Sequence, residues 1–131
     1  MEYVQIGDME VSRIGLGTWA IGGWEWGGTD ETESIDTIHA ALDTGINLID
    51  TAPVYGMGLS EEIVGRAVAA YGNRNDLVLA TKVGINWEGE SPYRDGSPER
   101  LRREIDDSLR RLQTDYIDIY QVHWPDPLVP I

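Results

Sequence analysis

The sequence predicts an α/β fold, the N-terminal portion of a (β/α)8 barrel preceded by a short β-hairpin. Three observations predict it. Short apolar runs alternate with stretches of helical period, and that alternation specifies a parallel sheet covered by helices. The ends of successive runs lie about 30 to 40 residues apart, the length of a βαβ unit. Each helical stretch also begins with residues suited to start a helix, and the first ends on a stop signal, Gly45.

Taken in order, Tyr3 to Ile6 and Met9 to Val11 flank Gly7-Asp8, a two-residue turn signal between strand-like runs. Ile14 to Trp19 reads as a buried strand, followed by the glycine-rich loop Gly22 to Gly28. Asp30 with Glu33 forms a capping box. It opens a helix with Ile35, Ile38 and Leu42 on its apolar face and Gly45 at its end. Ile46 to Asp50 is the second strand, and Pro53 and Gly56 mark its loop. Ser60 is expected to cap the next helix, with Glu61 and Glu62 in its first turn and a stripe of Ile63, Val64, Ala67, Val68 and Tyr71. Leu77 to Lys82 is the third strand, and a polar loop with Trp87, Pro92, Tyr93 and Gly96 follows. Ser97-Pro98 starts a helix with Leu101, Ile105, Leu109 and Leu112 on one face. Its arginines Arg100, Arg102, Arg103, Arg110 and Arg111 alternate with Glu99, Glu104, Asp106 and Asp107, the pattern of a solvated, salt-bridged face. Tyr116 to His123 is the fourth strand.

Four strands and three helices make about half of a barrel that usually needs about 250 residues. Residues 1–131 therefore read as one partial barrel domain, a fragment that stops before the helix due after its fourth strand. The formal net charge is −13, which argues against nucleic acid and anionic membrane as partners. There is no cysteine, and hence no disulfide framework and no thiolate metal site. No apolar run approaches the roughly 20 residues of a membrane span, and Met1 to Gln5 lacks the features of a secretory leader. A cytoplasmic location is the expectation.

Asp50, Lys82 and His123 stand at the C-terminal ends of predicted strands, and Tyr55 lies on the loop after Asp50. In a parallel barrel those ends converge on the active-site mouth. A lysine buried there needs a carboxylate, which Asp50 can supply from the neighbouring strand. A cation beside a phenol favours the phenolate, so Tyr55 is a candidate general acid for a carbonyl oxygen that gains hydride. His123 is a candidate hydrogen-bond donor that orients this oxygen.

Asp50-Thr51-Ala52-Pro53-Val54-Tyr55-Gly56 with Ser60-Glu61-Glu62, Ala80-Thr81-Lys82, Asp115-Tyr116-Ile117-Asp118 and His123-Trp124-Pro125-Asp126 together resemble the aldo-keto reductase family. They are most similar to its bacterial branch of general stress proteins and inositol-dehydrogenase-like reductases. The resemblance implies that Tyr55 donates a proton, that Lys82 and Asp50 tune it, and that His123 positions the carbonyl. It implies a nicotinamide cofactor, NADP(H) ahead of NAD(H), with Gly17, Thr18, Trp19 and Asp50 beside its reactive end. The family's carboxamide-binding Ser-Asn pair, stacking aromatic and 2′-phosphate pocket have no counterpart in these residues.

Gly15-Leu16-Gly17-Thr18-Trp19-Ala20 also matches a dinucleotide fingerprint, but a true fingerprint opens a helix at once, and here further glycines intervene. Trp24, Trp87 and Trp124 are candidates for an apolar substrate rim, against plain loop packing. His39 reads as an ordinary helix residue. Asp118 and Asp126 near His123 are weighed as metal ligands, and no metal is expected. The function expected is NAD(P)H-dependent interconversion of aldehydes or ketones and alcohols, with a small carbonyl compound as partner. The rivals are an NADP(H)-sensing regulatory subunit of the same fold and an inert half-barrel that self-associates through open sheet edges.

Overall fold

The structure is a computed structural model and describes residues 1–130. Ile131, the last residue of the expected domain, lies outside the described residues. The chain opens with the antiparallel hairpin β1 (Tyr3–Ile6) and β2 (Met9–Ser12). It continues through β3 (Leu16–Gly17), α1 (Glu31–Asp43), β4 (Leu48–Asp50), α2 (Leu59–Tyr71) and β5 (Val78–Val83). A second hairpin, β6 (Ile85–Glu88) and β7 (Ser91–Arg94), precedes α3 (Pro98–Leu112) and β8 (Ile119–Val122). The parallel sheet has the order β3-β4-β5-β8. Strands thus lie beside each other in the order they occur in the chain, as in the first half of a (β/α)8 barrel.

Alternation along the strands divides the sheet into two faces. Ile49 and Leu79 turn towards the helices and join Ile38, Leu42, Ile63, Val64, Ala67, Val68 and Leu112 in the main core. The pairs Gly17–Asp50 and Lys82–Gln121 stand in register on the opposite face. The first hairpin is tied to the N-terminal end of β4. Asn47 donates to the Glu10 carbonyl at 2.9 Å and accepts from the Ser12 amide at 2.8 Å, while Tyr3 donates to the Gly45 carbonyl at 2.9 Å.

Local chemistry explains the helix starts. The Asp30 side chain accepts from the Glu33 amide at 2.9 Å, as the capping box requires, and Ser97 accepts from the Arg100 amide at 3.2 Å. The start of α2 differs from expectation. Its N-cap is Gly58, and Ser60 lies fully buried inside the first turn, where its hydroxyl serves Thr18 and Thr51 just past β3 and β4 instead. The polar loop expected after β5 is the β6–β7 hairpin, paired from Ile85–Arg94 to Glu88–Ser91. The innermost row of α3 also differs. It is Glu104, Ser108 and Leu112, with Leu101, Ile105 and Leu109 only half-buried beside it. Gly65 of α2 lets the α3 backbone come close there, since a Cβ on it would stand 2.4 Å from the Arg111 carbonyl oxygen. The predicted solvated charges of α3 are correspondingly split. Glu104 is buried and Arg111 reaches the buried Glu61, while Arg103–Glu99 and Arg110–Asp107 lie at the surface.

Candidate active site

Strand register brings the polar residues together. Gly17 stands level with Asp50, Asp50 with Ala80, and Lys82 with Gln121. Residues two apart on a strand share a face, so Gly17, Asp50, Lys82 and Gln121 all occupy the face opposite the helices. The ladder runs on one residue beyond β8, where the His123 amide donates to the Val83 carbonyl at 2.9 Å.

Tyr55 reaches this face from the loop after β4. Ala52 and Val54 are buried and anchor the loop, and the Tyr55 amide donates to the Ala52 carbonyl at 3.1 Å to turn the chain back. Two glycines fix the turn. Gly56 has φ +63°, and a Cβ on it would lie 2.1 Å from the Gly22 carbonyl oxygen. The Tyr55 loop and the loop after β3 are thus in direct backbone contact.

The Lys82 ammonium donates to Asp50 Oδ2 at 2.7 Å, to the Thr51 carbonyl at 2.9 Å and to the Tyr55 hydroxyl at 3.2 Å. An ammonium has three donors, and all three are engaged. Gln121 Nε2 donates to the other Asp50 oxygen at 3.4 Å. Sequence reasoning missed Gln121, although its place two residues before His123 on a strand was a signal of a shared face. The His123 ring meets the Tyr55 ring edge-on, with centroids 5.8 Å apart. Burial, and after it the positive charge of Lys82, push the His123 imidazole below its ordinary range, and Asp50 offsets this only partly. The ring is therefore neutral at pH 7 and carries a single N–H.

These groups open on a cleft of about 330 Å3 walled by Trp19, Trp24, Val54, Ile85, Pro92 and Trp124, with Glu25 at its margin. Tyr55 and His123 are the polar groups that face into it from the cluster. A larger groove of about 630 Å3 lies at the other end of the strands, beside Tyr3, Asn47 and Asp118, and none of the four clustered residues lines it.

The remaining sequence candidates separate. Trp24 and Trp124 line the cleft, whereas Trp87 lies under the Arg100 guanidinium, 5.8 Å from ring centroid to carbon. Trp19 lines the cleft too, 6.3 Å from the Tyr55 ring. The Thr18 side chain is fully buried on the helix side and does not face the cleft. Gly17 leaves open space beside Asp50, where a Cβ would meet nothing within 4 Å. Asp118 is remote from His123, paired with Arg74 at 2.6 Å and accepting from the Leu79 amide. Asp126 accepts from the amides of Gly96 and Leu128, which hold its carboxyl below the usual range. Among the described residues no cluster of His, Asp and Glu has the makings of a metal site, and no helix is long and apolar enough to cross a membrane.

Comparison with known proteins gives the same picture from another direction. The chain is 62% identical to the aldo-keto reductase YhdN of Bacillus subtilis over an alignment of 133 positions, covering 100% of this chain and 40% of that protein. It is 49% identical to the NADH-specific methylglyoxal reductase of Escherichia coli, covering 89% of this chain and 39% of that one. Among solved structures, the glycerol dehydrogenase of Gluconobacter oxydans superposes with a TM-score of 0.88 at 55% identity, over 98% of this chain and 41% of its own. An aldo-keto reductase of Klebsiella pneumoniae in complex with NADPH superposes with a TM-score of 0.70 at 33% identity, over 91% and 37%. The chain thus spans about two fifths of the length of the relatives it matches. Residues 13–131 match the aldo/keto reductase family, and with this match, these relatives and this half-barrel the chain belongs to that family.

Proposed function

We propose that the protein carrying this chain is an NAD(P)H-dependent oxidoreductase that reduces small aldehydes or ketones to alcohols, or runs the reverse. One observation carries the reading. A single ammonium, Lys82, bonds both a carboxylate and a phenol, and that phenol faces an apolar cleft. Tyr55 is the proton donor to the carbonyl oxygen of a substrate held in the cleft. Lys82 stabilises the phenolate that remains after transfer, and Asp50 fixes and neutralises Lys82. His123, neutral and edge-on to Tyr55, offers its N–H to the same oxygen and sets the angle of approach. A nicotinamide supplies the hydride when bound. Gly17, Trp19 and Asp50 border the space for its ring, and the Thr18 hydroxyl supports that border from behind. Because its three donors are engaged, Lys82 has none left for a phosphate.

NADP(H) is our reading over NAD(H), supported by the NADPH complex of the Klebsiella pneumoniae relative. The Escherichia coli relative is named NADH-specific, so the two cofactors are to be compared directly. The apolar walls of the cleft suit an uncharged carbonyl compound with an alkyl or aryl substituent.

The test is oxidation of NADPH and of NADH by the full-length protein across a panel of aldehydes and ketones. Tyr55→Phe lowers kcat by about 10² to 10⁴-fold and leaves the cofactor Kd unchanged. A variant that kept more than half of the wild-type kcat, with a deuteride isotope effect showing hydride transfer to be rate-limiting, would remove Tyr55 from this role.

A further inference from the structure

We propose that Ser60 is a positioning residue for the reaction, the hub of a buried hydroxyl chain that holds the backbone at Asp50, Thr51 and Tyr55 in place. The proposal rests on the reductase reading of the site. It begins with an unexpected burial. Ser60, Thr18 and Thr51 are at most 1% exposed, and each hydroxyl there needs a partner.

Their partners are one another. Ser60 Oγ lies 2.8 Å from Thr18 Oγ1, 2.9 Å from the Thr18 carbonyl and 3.1 Å from Thr51 Oγ1. Thr18 Oγ1 lies 3.1 Å from the Asp50 carbonyl. A carbonyl only accepts and each hydroxyl has one proton, so the direction is set from that end. Thr18 donates to the Asp50 carbonyl, Ser60 donates to Thr18, and Thr51 donates to Ser60. The single Ser60 proton is shared between the Thr18 hydroxyl and the Thr18 carbonyl, so three protons serve four contacts, and the chain closes on itself because Asp50 and Thr51 are consecutive.

The links act where the chemistry is. The Thr51 carbonyl is one of the three acceptors of Lys82. The Ser60 amide donates to the Tyr55 carbonyl at 3.2 Å. Thr18 follows Gly17, the open residue beside Asp50. One turn of α2 therefore ties together two strand ends and the Tyr55 loop. Its next residue extends the row, since buried Glu61 accepts from Thr81, the neighbour of Lys82, at 2.6 Å and from Arg111 at 2.6 Å. Loss of the Thr51 proton leaves the Thr51 amide on the Ala80 carbonyl at 2.9 Å but removes the side-chain tie to α2, which loosens the carbonyl that helps to aim Lys82 at Tyr55.

Paired variants separate the hydroxyl from the space it fills. In the full-length protein, Thr51→Val keeps the volume and loses the proton, and Thr51→Ser keeps the proton and loses a methyl group. Misplacement of reacting groups by a fraction of an ångström to 1 Å costs up to about 10²-fold. Thr51→Val and Ser60→Ala are expected to lower kcat about 10- to 100-fold, with KM for the carbonyl within about twofold, while Thr51→Ser stays near wild type. A second readout is independent of turnover. The ring carbon resonance of 13C-labelled Tyr55, assigned with Tyr55→Phe, should move in Thr51→Val and stay in place in Thr51→Ser. If Ser60→Ala fails to fold, the Thr51 pair carries the test. The reverse order, Val active with an unmoved resonance and Ser impaired, would mean that packing alone matters and overturn the proposal. A wild-type protein that reduces no carbonyl compound sinks the reductase reading, and the Tyr55 resonance then still decides whether the hydroxyl chain holds that loop.

Discussion

At the scale of single residues, His123 shows how position sets chemistry. Burial and the Lys82 charge both disfavour its protonated form, and the opposing pull of Asp50 is smaller. An unfolded histidine titrates near 6.5. The unfolded chain therefore takes up a proton at a pH where the folded imidazole stays neutral. Stability is undiminished above about pH 6.5 and declines as the pH falls through that value towards the lower folded one. Replacing His123 by Gln should flatten this acid-side decline, as read by urea unfolding at a series of pH values. His39 is present in both proteins, so an identical slope in the two would remove His123 as the source. The identity of the polar cluster was legible in the sequence because each member ends a strand or starts its loop. Gln121 was not, because its role comes from register with Lys82 on a strand far away in the chain.

At the scale of elements, the existence of the three helices and the starts of α1 and α3 were legible, and the differences have physical causes. Ser60 looks like a cap because serine before two glutamates usually is one. Here Gly58, at φ +100°, makes the turn, and the hydroxyl is drawn instead to three polar atoms of Thr18 and Thr51, just past the ends of β3 and β4. The β6–β7 hairpin escaped notice because its runs are short and polar and interrupted by Pro92. Helix α3 looks solvated along its charges, but Glu104 accepts from the Gly84 amide at 3.1 Å and pairs with Arg100 at 3.3 Å, inside the protein. Gly84 turns the chain from β5 into the hairpin that carries Ile85 and Pro92 of the cleft wall. Burial raises the Glu104 carboxyl above its ordinary range, more than Gly84 and Arg100 lower it. The folded form thus holds its proton where the unfolded chain has lost it, and stability falls as the pH rises through the carboxylate range towards the raised folded value. Glu104→Gln keeps an acceptor for Gly84 and should abolish that fall. Unfolding curves at pH 4 to 7, within the range where carboxylates titrate, test this, and parallel curves for the two proteins would contradict it. Tyr120, half-buried, is pushed up in the same way by burial and by the charges of Glu104 and Glu61.

At the scale of the whole molecule, β3 and β8 form the two edges of the described sheet. Edge strands with free backbone groups seek a partner. The 131-residue chain on its own is therefore expected to form dimers or larger assemblies through these edges, with its net charge of −13 opposing unlimited growth. It should also hold a nicotinamide cofactor weakly, because barrels usually place phosphate sites after strands seven and eight. Light scattering with a parallel NADPH fluorescence titration reads both, and a compact monomer with micromolar affinity would contradict both. The order of the strands has an evolutionary side as well. Asp50, Tyr55, Lys82 and His123 come from three successive parallel strands and one intervening loop. Any genetic crossover beyond codon 124 hands on this polar cluster intact. Recombination between related genes can then exchange the later part of the barrel while the Asp50, Tyr55, Lys82 and His123 cluster, with the proton-donor role proposed for it, is inherited as a single block.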